Sequence, residues 1–125
     1  MTVYERAKRA AEAVVAVSGR VPDTAVVLGS GLGGVADMAT GAVILPLSSI
    51  PGFPAATALG HAGRLIVGTI ADKRVMLVQG RWHRYEGYAM EDVTLYVRML
   101  ALLGVKHLIL TNAAGAIRED RKSVV

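Results

Sequence analysis

The sequence predicts an α/β fold, a mixed β-sheet flanked by helices, and three observations carry that expectation. A capped, alanine-rich helix opens the chain. Two β-rich runs joined by a short turn read as a hairpin, whose strands are necessarily antiparallel. Elsewhere, short apolar strands run into glycine or small-residue loops, with a helix between them, as in α/β domains.

Taken in order, Thr2 followed by Glu5 fits a capping box, and the run to Val17 ends at Ser18-Gly19, which predicts a helix. Its apolar positions Val3, Ala7, Ala10, Val14 and Val17 fall on one face. Pro22-Asp23 makes a turn, and Ala25-Val26-Val27-Leu28 is a short apolar strand. A glycine loop at 29–34 leads to a helical turn at 35–38, a strand at 42–45 and a long loop at 46–63. Residues 65–70 and 74–79 are the hairpin strands, joined by Ala71-Asp72-Lys73. A polar, aromatic loop spans 80–87. Glu91-Asp92 open a helix through Leu103, with Gly104 as its stop. Residues 107–111 read as a buried strand and 112–115 as a tight loop.

Composition narrows the function. A chain of 125 residues supports one domain, 1–125. The absence of cysteine excludes a disulfide scaffold, a cysteine zinc site and a thiol nucleophile. His61, His83 and His107 are too scattered for a close-spaced ligand pair, so no metal is expected. Fourteen Lys+Arg against ten Asp+Glu give a net charge of +4, which suits an anionic partner. The basic residues form no dense run and aromatics make up only 5%, which argues against nucleic acid.

A mean hydropathy of +0.44 is high, yet no stretch of about 18 uncharged apolar residues appears, so no membrane span is expected. Residues 38–63 lack charge but are broken by Pro46, Pro51 and Pro54. Glu5, Arg6, Lys8 and Arg9 stand where a signal peptide needs an apolar core, so the expected location is cytoplasmic. The excess apolarity implies that the chain buries surface against another subunit or more chain.

The loops carry the chemistry. In Leu28-Gly29-Ser30-Gly31-Leu32-Gly33-Gly34, glycines allow successive backbone N–H groups to face an anion, and Ser30 adds a hydroxyl donor. Gly29, Gly31 and Gly34 also satisfy G-x-G-x-x-G. A dinucleotide site, however, needs an acid about 20 residues on, at the end of the next strand. Residues 38–71 contain no Asp or Glu, and the hairpin order does not fit a βαβ unit.

In Gln79-Gly80-Arg81-Trp82-His83-Arg84-Tyr85-Glu86-Gly87, Arg81, His83 and Tyr85 alternate and share a side if extended. A guanidinium clamps anion oxygens, an imidazole donates another bond and a phenol meets a hydroxyl. Thr111-Asn112-Ala113-Ala114-Gly115 permits close approach of a ligand, although taken alone a tight turn is the better explanation. His61, in Gly60-His61-Ala62-Gly63, could face that ligand or simply be solvated; His107 begins a strand and has no expected role.

Together with Pro51-Gly52-Phe53-Pro54 and His61-Ala62-Gly63, these loops resemble the trimeric purine nucleoside phosphorylase family. The matching stretches, 27–34, 51–63, 79–88 and 111–117, occur in the family's order and spacing, and the resemblance extends over residues 2–120. Segment 80–87 favours the purine nucleoside branch over the related methylthioadenosine phosphorylases. The resemblance implies phosphorolysis, in which a purine nucleoside and phosphate give free base and pentose 1-phosphate, within purine salvage.

It further implies a nucleoside-phosphorylase-like fold, a homotrimer, and no cofactor beyond inorganic phosphate as co-substrate. Ser30, Arg81, His83 and the backbone N–H of Ala113 would bind phosphate, and Tyr85 would touch the sugar. His61 would lie on a substrate loop, and His83 and Glu86 are the catalytic candidates. Family chains are longer, and their purine-gripping acid and amide, with a further phosphate-binding serine, lie in the second half. After Arg118-Glu119-Asp120 the chain departs from the family, and Ala116 stands where glycine is commoner. The expectation is therefore an incomplete domain, the N-terminal portion of one, that is inactive alone. The alternative is a non-catalytic phosphate-binding or subunit-interaction module. Base preference is not legible.

Overall fold

The chain opens as its first residues dictate. Helix α1 (Val3–Ser18) carries a complete capping box: Thr2 Oγ1 accepts from the Glu5 N–H at 3.1 Å, and Glu5 Oε2 accepts from the Thr2 N–H at 3.2 Å. Two donors that a helix start leaves unpaired are thereby satisfied. The computed structural model describes residues 2–29, 31–53, 63–80 and 87–111. The buried stripe of α1 is Ala7, Ala10, Ala11 and Val14. Val17, expected on that stripe, is 59% exposed. It sits in the last turn on the flank of the stripe, whereas Ala11, one turn beyond Ala7, falls within it.

Among the described residues five strands form one mixed sheet in the order β2-β3-β4-β1-β5. β1 (Thr24–Leu28) lies between β4 (Lys73–Gln79) and β5 (His107–Leu110) and runs parallel to both. β2 (Thr40–Pro46), β3 (Arg64–Ile70) and β4 form the antiparallel half. The expected hairpin is present with a tighter turn than anticipated, because Lys73 already pairs with Ile70. Ala71 and Asp72 alone make the link, at φ of 50° and 65°. Positive φ at both central residues is the pattern of a type I′ turn, whose twist matches that of the strands it joins.

Strand alternation sorts the core into two layers. Ala25, Val27, Leu65, Val67, Met76 and Val78 face α1 and α4 (Leu95–Leu102) together with Val14, Met99 and Leu100. On the other face, Leu28, Ile66 and Leu77 meet Ala36 of the short α2 (Gly33–Ala36). Each fully buried aliphatic side chain contributes about 1.5–3 kcal/mol.

The single helix expected from Glu91 to Leu103 is two, α3 (Met90–Val93) and α4. Thr94 separates them at ψ 0°, its Oγ1 donating to the Met90 carbonyl at 2.8 Å. This local bond competes with the helical ladder. α4 ends as predicted: Val105 N–H reaches Leu100 O and Gly104 N–H reaches Ala101 O, both at 3.1 Å, with Gly104 at φ +86°. Those two bonds are a Schellman cap.

β5 corrects the sequence reading. Expected as a buried strand, it is exposed along its length, with Leu108, Ile109 and Leu110 at 37%, 51% and 56%. The reason is position. Among the described residues β5 pairs only with β1, and no β5 side chain joins either core layer.

Candidate functional site

Parallel strands deliver the loops that follow them to a common edge. Here Leu28, the last residue of β1, is in register with Gln79, the last of β4. Leu110, the last of β5, is in register with Val27. Arg64, the first residue of the antiparallel β3, lies opposite Gln79. The glycine loop, the segment after Gly80, the segment after Thr111 and the segment ending at Gly63 therefore all meet the sheet at this edge.

The candidate residues Ser30, His61, Arg81, His83, Tyr85, Glu86 and Ala113 lie outside the described residues. The described residues show the roots from which their segments spring. His107 lies at the opposite end of its strand, paired with Thr24 at the start of β1.

Those roots are packed too closely for side chains. Gly80 has φ +113°, and a Cβ there would lie 2.9 Å from Gly63 Cα. A Cβ on Gly63 would lie 3.2 Å from the Gln79 carbonyl oxygen. Two segments thus leave the sheet with their backbones in contact. A Cβ on Gly29 would lie 3.0 Å from the Thr111 carbonyl oxygen. The Thr111 hydroxyl binds this crossing from both sides, accepting from Gly29 N–H and donating to Val27 O, each at 2.6 Å.

Two polar side chains complete the edge, and sequence reasoning assigned no role to either pairing. Arg64 donates from Nε at 2.9 Å and from Nη2 at 2.7 Å to Gln79 Oε1. Both residues are partly buried on the α2 face of the sheet. The signal was a cation and an amide at hairpin positions that register brings opposite, visible once the two-residue turn is known. Among the described residues no group of three His, Cys, Asp or Glu side chains could hold a metal ion. None of their helices is long and apolar enough to cross a membrane.

A strand edge presenting glycine roots, a side-chain amide and a guanidinium is suited to holding an anion. Known proteins agree with that architecture. The chain is 48% identical over 99 residues to purine nucleoside phosphorylase 1 of Geobacillus stearothermophilus, covering 79% of this chain and 36% of the relative. It is 45% identical over 116 residues to purine nucleoside phosphorylase 1 of Bacillus subtilis, covering 93% and 43%. Among solved structures, isoform 2 of purine nucleoside phosphorylase from Schistosoma mansoni, in complex with cytosine and ribose-1-phosphate, superposes with a TM-score of 0.88 at 38% identity. That match covers 98% of this chain and 44% of the other. The chain therefore spans less than half the length of these relatives. The model of the phosphorylase superfamily matches residues 23–123, so the chain belongs to the phosphorylase superfamily.

Proposed function

We propose that this chain carries the phosphate- and pentose-binding part of a purine nucleoside phosphorylase site. The observation that carries the reading is the convergence of four segments on one edge, set by the register Leu28–Gln79–Arg64 and Val27–Leu110. The segments that leave this edge contain Ser30, His61, Arg81, His83, Tyr85, Glu86 and Ala113. In this reading Ser30, Arg81, His83 and the Ala113 amide hold phosphate, Tyr85 meets the pentose, and His61 and Glu86 lie nearby.

The reaction breaks the glycosidic C–N bond and forms a C–O bond from phosphate to the anomeric carbon, the electron pair leaving with the protonated purine. Positive charge develops on the sugar as the base departs. A phosphate held in place stabilises that charge and supplies the nucleophile, so positioning and electrostatics carry the catalysis. The proposal includes no metal or organic cofactor. It includes a homotrimer acting in purine salvage in the cytoplasm.

The test is phosphate-dependent release of hypoxanthine from inosine, run beside calorimetric titration with inorganic phosphate. Saturable phosphate binding that weakens about tenfold or more in Arg81→Ala supports the site, the range expected for a charge-assisted bond. Absence of phosphate binding by folded protein overturns it. Base release lost in the same variant extends the reading to the whole reaction. A second reading, a subunit-interaction module, draws on the exposure of Ile109 and Leu110. A discrete oligomer without phosphate binding in size-exclusion chromatography would favour it.

A further inference from the structure

Gln79 ends β4 between Arg64 on one side and Leu28 on the other, at the edge where the glycine loop begins. Both Arg64 bonds fall on its Oε1. A guanidinium only donates, so the amide orientation is set: oxygen to Arg64, nitrogen away from it. The nitrogen lies against the glycine loop, where a Cβ on Gly33 would stand 3.3 Å from Nε2. Among the described residues no acceptor takes the Nε2 protons, and no unpaired side-chain nitrogen or oxygen there is fully buried, so Nε2 is not sealed from solvent. Arg64 has no acidic partner either, the ion pair among the described residues being Arg6–Asp92.

We propose that Gln79 is a further anion-binding residue of this edge, its Nε2 donating to an oxygen of phosphate, with Arg64 as its positioning residue. The inference rests on the phosphate reading above and adds to it a donor on a strand rather than on a loop. With its oxygen engaged, the amide presents only donors outward. The two charge-assisted bonds polarise it further, enriching the positive end that faces the glycine loop. A ligand there meets N–H groups and the unneutralised charge of Arg64, which selects an anion over a cation or a neutral group.

The experiment is titration of the 125-residue chain with inorganic phosphate, paired with thermal unfolding, for Gln79→Glu, Gln79→Leu and Arg81→Ala. A carboxylate at 79 forms an ion pair with Arg64 but turns a donor into a negative charge. Gln79→Glu is therefore expected to keep or raise the unfolding midpoint while weakening phosphate binding about tenfold or more. A merely structural amide predicts unchanged phosphate affinity in that variant, and that result overturns the proposal. Gln79→Leu, which removes the donor without adding charge, is expected to lose affinity less severely, and it decides the matter if Gln79→Glu does not fold. Arg64→Lys, keeping charge without the two-point grip, should weaken binding less than Arg64→Met; equal affinities in both variants and wild type would remove Arg64. If Arg81→Ala loses phosphate while both Gln79 variants retain it, the Gln79 assignment fails and the phosphate reading stands. If the unaltered chain shows no saturable binding, both fail.

Discussion

Thr111 Oγ1 stands 2.6 Å from the Gly29 amide nitrogen and 2.6 Å from the Val27 carbonyl oxygen, so one hydroxyl joins the end of β5 to the root of the glycine loop. Thr111→Val preserves shape and removes both bonds, leaving the partly buried Gly29 N–H without this partner, while the Val27 carbonyl keeps the Thr111 backbone N–H at 3.2 Å. The expected loss is about 1–3 kcal/mol, the cost of stranding such a group. Thr111→Ser retains the hydroxyl and should lose clearly less. Urea unfolding of the three proteins, with equal denaturant slopes, checks the difference; equal midpoints for Thr111→Val and wild type would refute it.

Arg6 performs a similar joining task on the helical side. Its Nη2 donates to Asp92 Oδ1 and to the Gly52 carbonyl, each at 2.8 Å, linking α1 to α3 and to the turn at Gly52. The ion pair is only 21% and 26% exposed, so solvent screens it incompletely. Arg6→Met keeps the aliphatic stem and removes both bonds, with an expected cost of about 1–2 kcal/mol. Asp92→Asn should cost less, because an amide oxygen still accepts. A double-mutant cycle that returns no coupling between positions 6 and 92 would show the pair to be incidental.

Legibility followed range. α1 was readable to within a residue because Thr2, Glu5 and Gly19 act on their near neighbours. The same holds for the Gly104 stop, whose Schellman bonds span five residues. The break at Thr94 was missed because one hydroxyl bonding back four residues leaves no trace in apolar periodicity. β5 was misjudged for the opposite reason: His107-Leu108-Ile109-Leu110 has the composition of an interior strand, whereas its exposure depends on what lies beside it. The candidate site divides similarly. Its loops are proposed from residue types alone and their candidate residues lie outside the described ones, while the Arg64–Gln79 pairing requires the hairpin register, which moved when the turn proved to be two residues long.

That turn supports a stabilising substitution. Ala71 sits at φ 50°, where a Cβ crowds the following carbonyl at about 1–2 kcal/mol for an ordinary L-residue. Asparagine tolerates this region through local hydrogen bonding and avoids the unfolded-state entropy of glycine. Ala71→Asn is expected to raise stability by about 0.5–1 kcal/mol, and Ala71→Gly by less. Ala71→Val should destabilise the hairpin, since a β-branched side chain at positive φ is strained further. Thermal unfolding monitored by circular dichroism orders the four proteins; a midpoint for Ala71→Val at or above that of wild type would contradict the turn assignment.

The two neighbours of the Val26–Ile109 and Val27–Leu110 pairs give the sharpest contrast in the sheet. Val27 is fully buried between the helices and β4, and Ile109, one strand away, is 51% exposed. Val27→Ala opens a cavity in a packed layer and is expected to cost about 2–3 kcal/mol. Ile109→Lys places a charge where half the side chain already meets water, and its aliphatic stem can still lie along the sheet. The expected cost is under about 1 kcal/mol. An exposed apolar edge strand also offers unpaired N–H and C=O groups to other chains, and a lysine is the residue that blunts such edges. Ile109→Lys should therefore lower concentration-dependent self-association in light scattering while leaving the unfolding midpoint nearly unchanged. A large drop in that midpoint would instead place Ile109 against a packed surface and restore the buried strand that its composition implies.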